Sequence, residues 1–433
     1  MNPELPRNYD LLLKNATLLD GTGLPARRGD VGIIGETIVA VGDLSTASAK
    51  QVYDLEGLHL APGFIDIHTH SDISVTFDPG QGSALAMGVT TQVVGNCGLS
   101  MGLVQNTKTF EMERRWLAPH GARIRWNSFE EHLHLVEERG VATNYLPLVG
   151  HGSLRKRVMG TVARATTQAE LDSMQREIAT AMEAGAWGLS SGLEYTPSAF
   201  ANVEELTALC DVVRQFGGFY ATHLRNEGDT LIESVQEALE VAERAGVPLQ
   251  LSHHKAEGRQ NWGKVRETLE MVNRARERGA DVQFDQYPYT AFMTSLSVQV
   301  LPTWANEGSF REIGDRLLDP DSRAKVLSEI RTQHPDWETL SEDSHWHRIQ
   351  IGICRSNPAL EGRTIASLAL EQDKNPLEAA LDLLATTKDY ISAVNFAIGE
   401  EDIETVLKHP FTSIGSDGDR KSTRLNSSHT VIS

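Results

Sequence analysis

The chain has 433 residues, with 40 Lys and Arg against 59 Asp and Glu, a formal net charge of −19. That carboxylate excess argues against a nucleic-acid partner, and a composition 40% hydrophobic and 23% charged with 36 glycines excludes disordered and collagen-like chains. Three cysteines, Cys97, Cys210 and Cys354, are too few and too scattered for a disulfide framework, so a chemical role for any of them is as a thiolate.

The N-terminus, MNPELPRNYD, lacks the basic-then-apolar order of a signal peptide, and no apolar run has the length of a membrane span. The expectation is a cytoplasmic protein without a membrane partner. From Tyr9 to about residue 60, short alternating segments separated by Gly turns predict a small β domain over residues 1–62. From Phe64 the texture changes to a cycle of apolar strand, polar residues, amphipathic helix and Gly. The spacing predicts a helix from Gln168 to Ala184, with Leu171, Met174, Ile178, Ala181 and Met182 on one face. Leu206, Leu209, Cys210, Val213 and Phe216 mark the next, Leu231 to Ala242 a third, and Lys264 to Arg278 a fourth. Gly185, Gly217, Gly246 and Gly279 follow these helices as stop signals.

Segments of the strand kind are GFIDIHTH, TTQVVGNCG, NYLPLVGHG, AWGLSSGL, FYATHLR, LQLSHHK, VQFDQYPY and FTSIGSDG. Eight such strands alternating with helices predict a (β/α)8 TIM barrel over residues 63–418, with its chemistry at the C-terminal strand ends. Residues from about 290 to 409 are read as an insertion over the mouth. The last residues, 419–433, DRKSTRLNSSHTVIS, are Ser-rich and aperiodic, resemble a translated sequencing adapter, and are expected to be a foreign or disordered tail.

Polar residues fall at the strand ends. His68 and His70 are two apart after GFIDI, on one strand face, and both can reach one metal. Read alone they are equally well two polar strand-end residues. Cys97, His223, His253 and Asp417 end further strands, so five strand ends bring imidazole, thiolate and carboxylate to one mouth. That donor set suits a zinc-like ion with a position left open for water, a catalytic arrangement. The bland alternatives are a buried inert thiol for Cys97 and an Asp-Gly turn at Asp417. With a metal acidifying water, Asp417 can take a proton from that water and pass it to a departing amine. Arg225 and Lys255, each two residues after a ligand, are expected to point into the mouth, and Tyr195 and Tyr287 to add hydroxyl donors. For each of them a salt bridge or hydrogen bond supporting the barrel is the alternative.

The signature GFIDIHTHSD after YDLLLKNATLLDGTG resembles the amidohydrolase superfamily. VVGNCG, GHGSLR, GLSSGLEYTP, THLRNEGD, LSHHK, DQYPYTA and HPFTSIGSDG, in that order, are similar to the D-aminoacylase or N-acyl-D-amino-acid deacylase family. The resemblance runs from Tyr9 to Gly418. It implies a tightly held zinc on Cys97, His223 and His253, and a weaker second site at His68 and His70 shared with Asp417. Hydantoinase-like relatives use a carbamylated Lys from the fourth strand, and GLSSGL has none. Lys255 and Tyr287 are implied in substrate binding, and His254 falls outside the SHxK pattern and reads as structural. The expected reaction is zinc-dependent hydrolysis of an N-acyl-D-amino acid, a small-molecule substrate. Cyclic-amide hydrolysis and an inactive metal-binding fragment are the alternatives, and the D stereochemistry rests on the resemblance alone. Family members normally continue past the SDG motif, so the chain as written is expected to lack the eighth helix and half of a β-sandwich domain, and to be poorly stable or active.

The remaining candidates read as structural. Cys210 and Cys354 are expected in the core. His132 and His134, on a helix capped by Ser128 and Glu131, are expected at the surface, and His345 and His347 in a polar loop. His151 has no assigned role, and no phosphate-loop pattern implies a nucleotide cofactor.

Overall fold

Period-two alternation in the first fifty residues folds as strands, in a computed structural model that describes residues 8–330 and 346–418. The chain divides into two units, Met1–Phe64 and Ile65–Ser433. In the first, β1 (Asn8–Leu18), β2 (Arg27–Ile34), β3 (Thr37–Gly42) and β4 (Ser48–Asp54) form one sheet in the order β3-β2-β1-β4, with β5 (His59–Leu60) also on β1. β1 pairs antiparallel with β2 and parallel with β4, with Leu12 opposite Val52. Tyr9, Leu12, Ala16 and Leu18 are buried, with a register shift in the β1–β2 pairing between Leu13 and Ala16. Among the described residues this unit is a single five-stranded sheet.

In the second unit the parallel strands are β6 (Phe64–Asp66), β7 (Val89–Val94), β8 (Asn144–Gly150), β9 (Gly188–Gly192), β10 (Phe219–His223), β11 (Leu249–Leu251) and β12 (Val282–Gln286). An excursion then carries β13 (Phe292–Ser295), β14 (Ile349–Cys354) and β15 (Ile391–Asn395), an antiparallel sheet in the order β13-β15-β14. It buries its own core, including Leu296, Trp346, Ile351, Leu377 and Leu381. The helix Glu400–Leu407 returns to the barrel beside Lys264–Glu277 and leads into β16 (Thr412–Ile414). The eight-stranded order β16-β12-β11-β10-β9-β8-β7-β6 matches the strand segments read from sequence. Its ends meet in a parallel bridge between Thr69 and Gly418, and Ser416 N–H and Oγ donate to the Asp66 carboxylate at 2.9 and 2.5 Å.

Helix periodicity places the main core between strands and outer helices. Gln168–Glu183 starts at a capping box made by Thr167 and Glu170, Val203–Gln215 is capped by Asn202, and Leu231–Ala245 ends at Gly246 with φ 65°. Leu206, Leu209, Cys210 and Val213 pack with Leu189, Tyr220, Val235, Leu249 and Val282, all buried. Each fully buried Leu or Val contributes roughly 1.5–3 kcal/mol. Cys354 is likewise buried at the end of β14.

His132 departs from expectation. The helix Phe129–Arg139 turns Phe129, His132 and Val136 inward, so His132 is 1% exposed, against Trp126 and Tyr145, whereas His134 is exposed. Ser128 caps that helix by accepting from Glu131 N–H at 3.1 Å, while Glu131 accepts from Asn127 N–H at 2.7 Å. His347 is exposed in the turn Trp346–Arg348; His345 and the 419–433 tail lie outside the described residues. No helix among the described residues is long and apolar enough to cross a membrane.

Candidate metal centre and active site

Each chemical side chain stands where a barrel strand stops. His68 and His70 follow β6, Cys97 follows β7, Glu194 and Tyr195 follow β9, and His223 ends β10. His253 and Lys255 follow β11, Tyr287 follows β12, and Asp417 follows β16. Three of them have left-handed backbone: Cys97 at φ 51°, His253 at 35° and Asp417 at 48°. That conformation costs an L-residue roughly 1–2 kcal/mol, and it recurs at three convergent strand ends.

Cys97 Sγ lies 3.4 Å from His68 Nε2 and 3.5 Å from His253 Nε2. Asp417 Oδ1 lies 3.4 Å from His68 Nε2 and 3.3 Å from His70 Nε2. Donor atoms of Cys97, His223 and His253 fall within 4.8 Å of one another, as do those of His68, His70 and Cys97, and of His68, His253 and Asp417. The structure thus brings all six sequence-predicted ligands together, in overlapping sets that share His68, Cys97 and His253.

Three carboxylates that sequence reasoning missed surround these ligands. Asp285 Oδ1 is 3.1 Å from His68 Nδ1 and accepts from His253 N–H at 2.8 Å; Gln250 Nε2 donates to its other oxygen at 2.8 Å. Glu227 is 3.1 Å from His253 Nδ1 and 3.5 Å from His223 Nε2, and pairs with Lys255. Glu194 Oε2 is 2.7 Å from His223 Nε2. Carboxylates on the far nitrogen of His68 and His253 orient those rings with Nε2 toward the centre. The available signals were position alone: Glu227 four residues after His223, Glu194 just before Tyr195, and Asp285 at the end of a strand.

The electrostatics call for a cation. Burial alone would push the Cys97 thiol up, but His68 and His253, with a hydrogen bond from His223, hold it well below the ordinary thiol range. Burial opposes charge on His70 and His223, yet Asp417 and Cys97 raise His70 to about 9, and Glu227, Cys97 and Glu194 raise His223 to about 10. Burial would raise Asp417, but hydrogen bonding to His70 and the charges of His68 and His253 bring it down to about 2. One thiolate and several carboxylates thus keep protons on the imidazoles of these overlapping sets. A borderline-soft cation that takes nitrogen and sulfur donors would replace those protons, so the donor set fits a zinc-type ion.

Lys255 is buried, paired with Glu227, 3.1 Å from His253 Nδ1 and 3.6 Å from Glu257, with its Nζ 5.8 Å from the Tyr287 ring centre. The buried Tyr287 hydroxyl has no hydrogen-bond partner among the described residues. The Tyr195 ring lies tilted at 58° to His223 with ring centres 4.7 Å apart, and its hydroxyl accepts from Thr294 Oγ1 at 3.3 Å. Arg225 makes the salt bridge that was its alternative reading. Its guanidinium is held by Glu237 at 2.8 and 2.9 Å and by the carbonyls of Ala199 and Ala201 at 2.7 and 2.9 Å. A long side chain follows its strongest fixed partners, which strand alternation does not reveal.

His254 donates or accepts at Thr268 Oγ1, 2.7 Å away, as a structural residue. His151 joins Ser198 Oγ at 2.9 Å and Glu205 at 2.8 Å, and Glu205 also takes Arg155 at 2.6 Å. Burial would raise Glu205; His151 and Arg155 bring it down to about 2. All four side chains are buried, and Arg155 Nη2 also donates to Arg164 O at 2.7 Å while its Nε has no hydrogen-bond partner among the described residues.

The sequence pattern of the amidohydrolase family matches residues 51–419. The chain is 34% identical over 411 residues to a D-aminoacylase of Alcaligenes xylosoxydans xylosoxydans, covering 95% of this chain and 74% of that one. It is 33% identical over 416 residues to an N-acyl-D-aspartate deacylase of the same organism, covering 96% and 74%. A solved N-acyl-D-glutamate deacylase from Bordetella bronchiseptica, complexed with zinc and a phosphonate mimic of the tetrahedral intermediate, superposes with a TM-score of 0.75 at 30% identity, over 95% of this chain and 76% of that one.

Proposed function

The chain belongs to the amidohydrolase family, and on that premise we propose that it hydrolyses the amide bond of N-acyl-D-amino acids, releasing a carboxylate and a free D-amino acid. The observation that carries the reading is the convergence of Cys97, His223 and His253 beside Asp417 at the strand ends. Cys97, His223 and His253 would hold a zinc ion, and His68, His70 and Asp417 would line a second position next to it. When bound, such an ion polarises an amide carbonyl and acidifies water toward a pKa of about 7.

The chain's own groups supply the rest. Asp417, ionised at neutral pH, accepts a proton from the attacking water at a carboxylate oxygen. A carboxyl group that favours its ionised form readily gives that proton to the departing nitrogen, which leaves as an amine. Lys255 and the Tyr287 hydroxyl would bind the free carboxylate of the amino acid, and the Tyr195 ring lies beside His223, which would be a ligand. The relatives act on linear N-acyl-D-amino acids, which supports a linear amide over a cyclic one.

The test is amine release from N-acetyl-D-methionine, N-acetyl-D-glutamate and their L-enantiomers by zinc-loaded protein. Release from D forms is expected, with Asp417→Asn slower by about 10²–10⁴-fold. Turnover of L forms alone, or an Asp417→Asn variant as fast as the parent, would refute the assignment; zinc binding without turnover of any substrate would leave a metal-binding protein.

A further inference from the structure

The loop between β7 and β8 must turn the Cys97 thiol into the centre while satisfying its own buried backbone. Cys97 is flanked by two glycines with positive φ, Gly95 at 78° and Gly98 at 73°. The space around it is closed. A Cβ on Gly192 would stand 2.3 Å from Cys97 O, and a Cβ on Gly98 would stand 2.9 Å from Gly192 N.

In that confinement one hydroxyl spans the turn. Ser190 Oγ, on β9 and fully buried, donates to Gly95 O at 2.5 Å and accepts from Gly98 N–H at 3.1 Å, taking hold of the backbone on both sides of Cys97. Ser153 extends the clasp: its N–H donates to Gly98 O at 3.0 Å and its Oγ accepts from Ser100 N–H at 3.0 Å. Ser100 Oγ in turn accepts from Gly150 N–H at 2.9 Å.

We infer that Ser190 is a positioning residue for the metal centre: its single hydroxyl fixes the left-handed turn at Cys97 and so holds the sulfur where His223 and His253 converge. This rests on the metal site proposed above. Without the hydroxyl, Gly95 O and Gly98 N–H are left buried and unpaired, and the backbone relieves them by relaxing Cys97 out of its strained conformation, which swings Sγ away. Alanine supplies neither donor nor acceptor, so Ser190→Ala removes both bonds at once.

The adjacent residue is a built-in control. Ser191 is equally buried, but strand alternation turns it the other way, and its Oγ lies 2.6 Å from Tyr220 OH and 2.7 Å from Thr222 Oγ1. S190A and S191A each lose two buried hydrogen bonds, and only the first pair touches the Cys97 loop.

The experiment compares wild type, S190A, S191A and C97S by zinc affinity, measured by competition with a chromogenic chelator. The sulfur-to-cobalt charge-transfer band of cobalt-substituted protein and the melting temperature of metal-free protein are recorded beside it. S190A is expected to bind zinc at least about tenfold more weakly, the size seen when groups supporting a ligand are removed, with a shifted or weakened cobalt band. S191A is expected to lower the melting temperature while keeping wild-type zinc affinity and band. Wild-type zinc affinity in S190A, or equal losses in S190A and S191A, would overturn the inference. Zinc binding indifferent to C97S would overturn the metal-site reading itself, a separate outcome. If S190A is not recovered folded, S190C, of similar shape but a much weaker donor, is read by the same two measurements.

Discussion

Acid should unfold this protein partly through His132, a residue with no place in the active site. Its ring is buried between Trp126 and Tyr145, and neither nitrogen has a hydrogen-bond partner among the described residues. Burial disfavours the imidazolium and brings its pKa down to about 4 from an ordinary value of 6.5. Below 6.5 the unfolded chain takes up a proton that the folded chain refuses until about 4, so stability present at neutral pH is lost as pH falls through that interval. The whole interval corresponds to roughly 3 kcal/mol, and about 2.5 kcal/mol of it is lost by about pH 4.5. His132→Phe keeps a flat ring and removes the titration. Urea unfolding of metal-free protein at about pH 7.5 and about pH 4.5 gives the acid-induced loss for each protein; the variant should lose about 2.5 kcal/mol less than wild type. An identical loss in both would refute the idea that His132 is held neutral in the fold.

Three further outcomes are expected. Glu205→Gln leaves the buried Arg155 charge uncompensated and should destabilise the protein by about 3–5 kcal/mol in denaturant titration, while Glu205→Asp should recover part of that. Arg225→Lys loses the fork on Glu237 and the Ala199 and Ala201 carbonyls, so it should cost roughly 1–2 kcal/mol of stability and leave KM for N-acyl-D-amino acids unchanged; a raised KM with unchanged stability would restore Arg225 to the substrate site. Chelation should lower the melting temperature and abolish turnover, with zinc at a hundred times its dissociation constant giving back about 2.7 kcal/mol, and Cys97→Ser should respond to neither treatment.

Much of this architecture is legible without coordinates because it rests on local periodicity. The apolar spacing of Leu206, Leu209, Cys210 and Val213, and the glycine stops at Gly217 and Gly246, fix helices whose placement follows from the alternation of strand and helix. Strand ends are equally visible, since residues two apart share a face, and that rule alone puts His68 with His70 at one mouth. What periodicity cannot carry is the partner of a side chain far away in sequence. Arg225 sits on the expected strand end, yet Glu237 and two carbonyls from the preceding loop claim its charge. His132 lies in a polar stretch, EEHLHLVEER, but the helix phase turns it toward Trp126. Glu227, Glu194 and Asp285 look like ordinary surface carboxylates until barrel closure sets them against the imidazoles.

The sequence by itself thus determined which His, Cys and carboxylate side chains stand at the strand ends and their order along the chain, because barrel strands present their C-terminal residues at one end. Only tertiary structure decided which charges balance those donors, and which hydroxyl holds Cys97 in a backbone conformation that an L-residue does not adopt unaided. Both depend on contacts between residues brought together from different strands, His68 with Asp285 and Ser190 with Gly95 and Gly98 among them, and such contacts exist only once the barrel has closed.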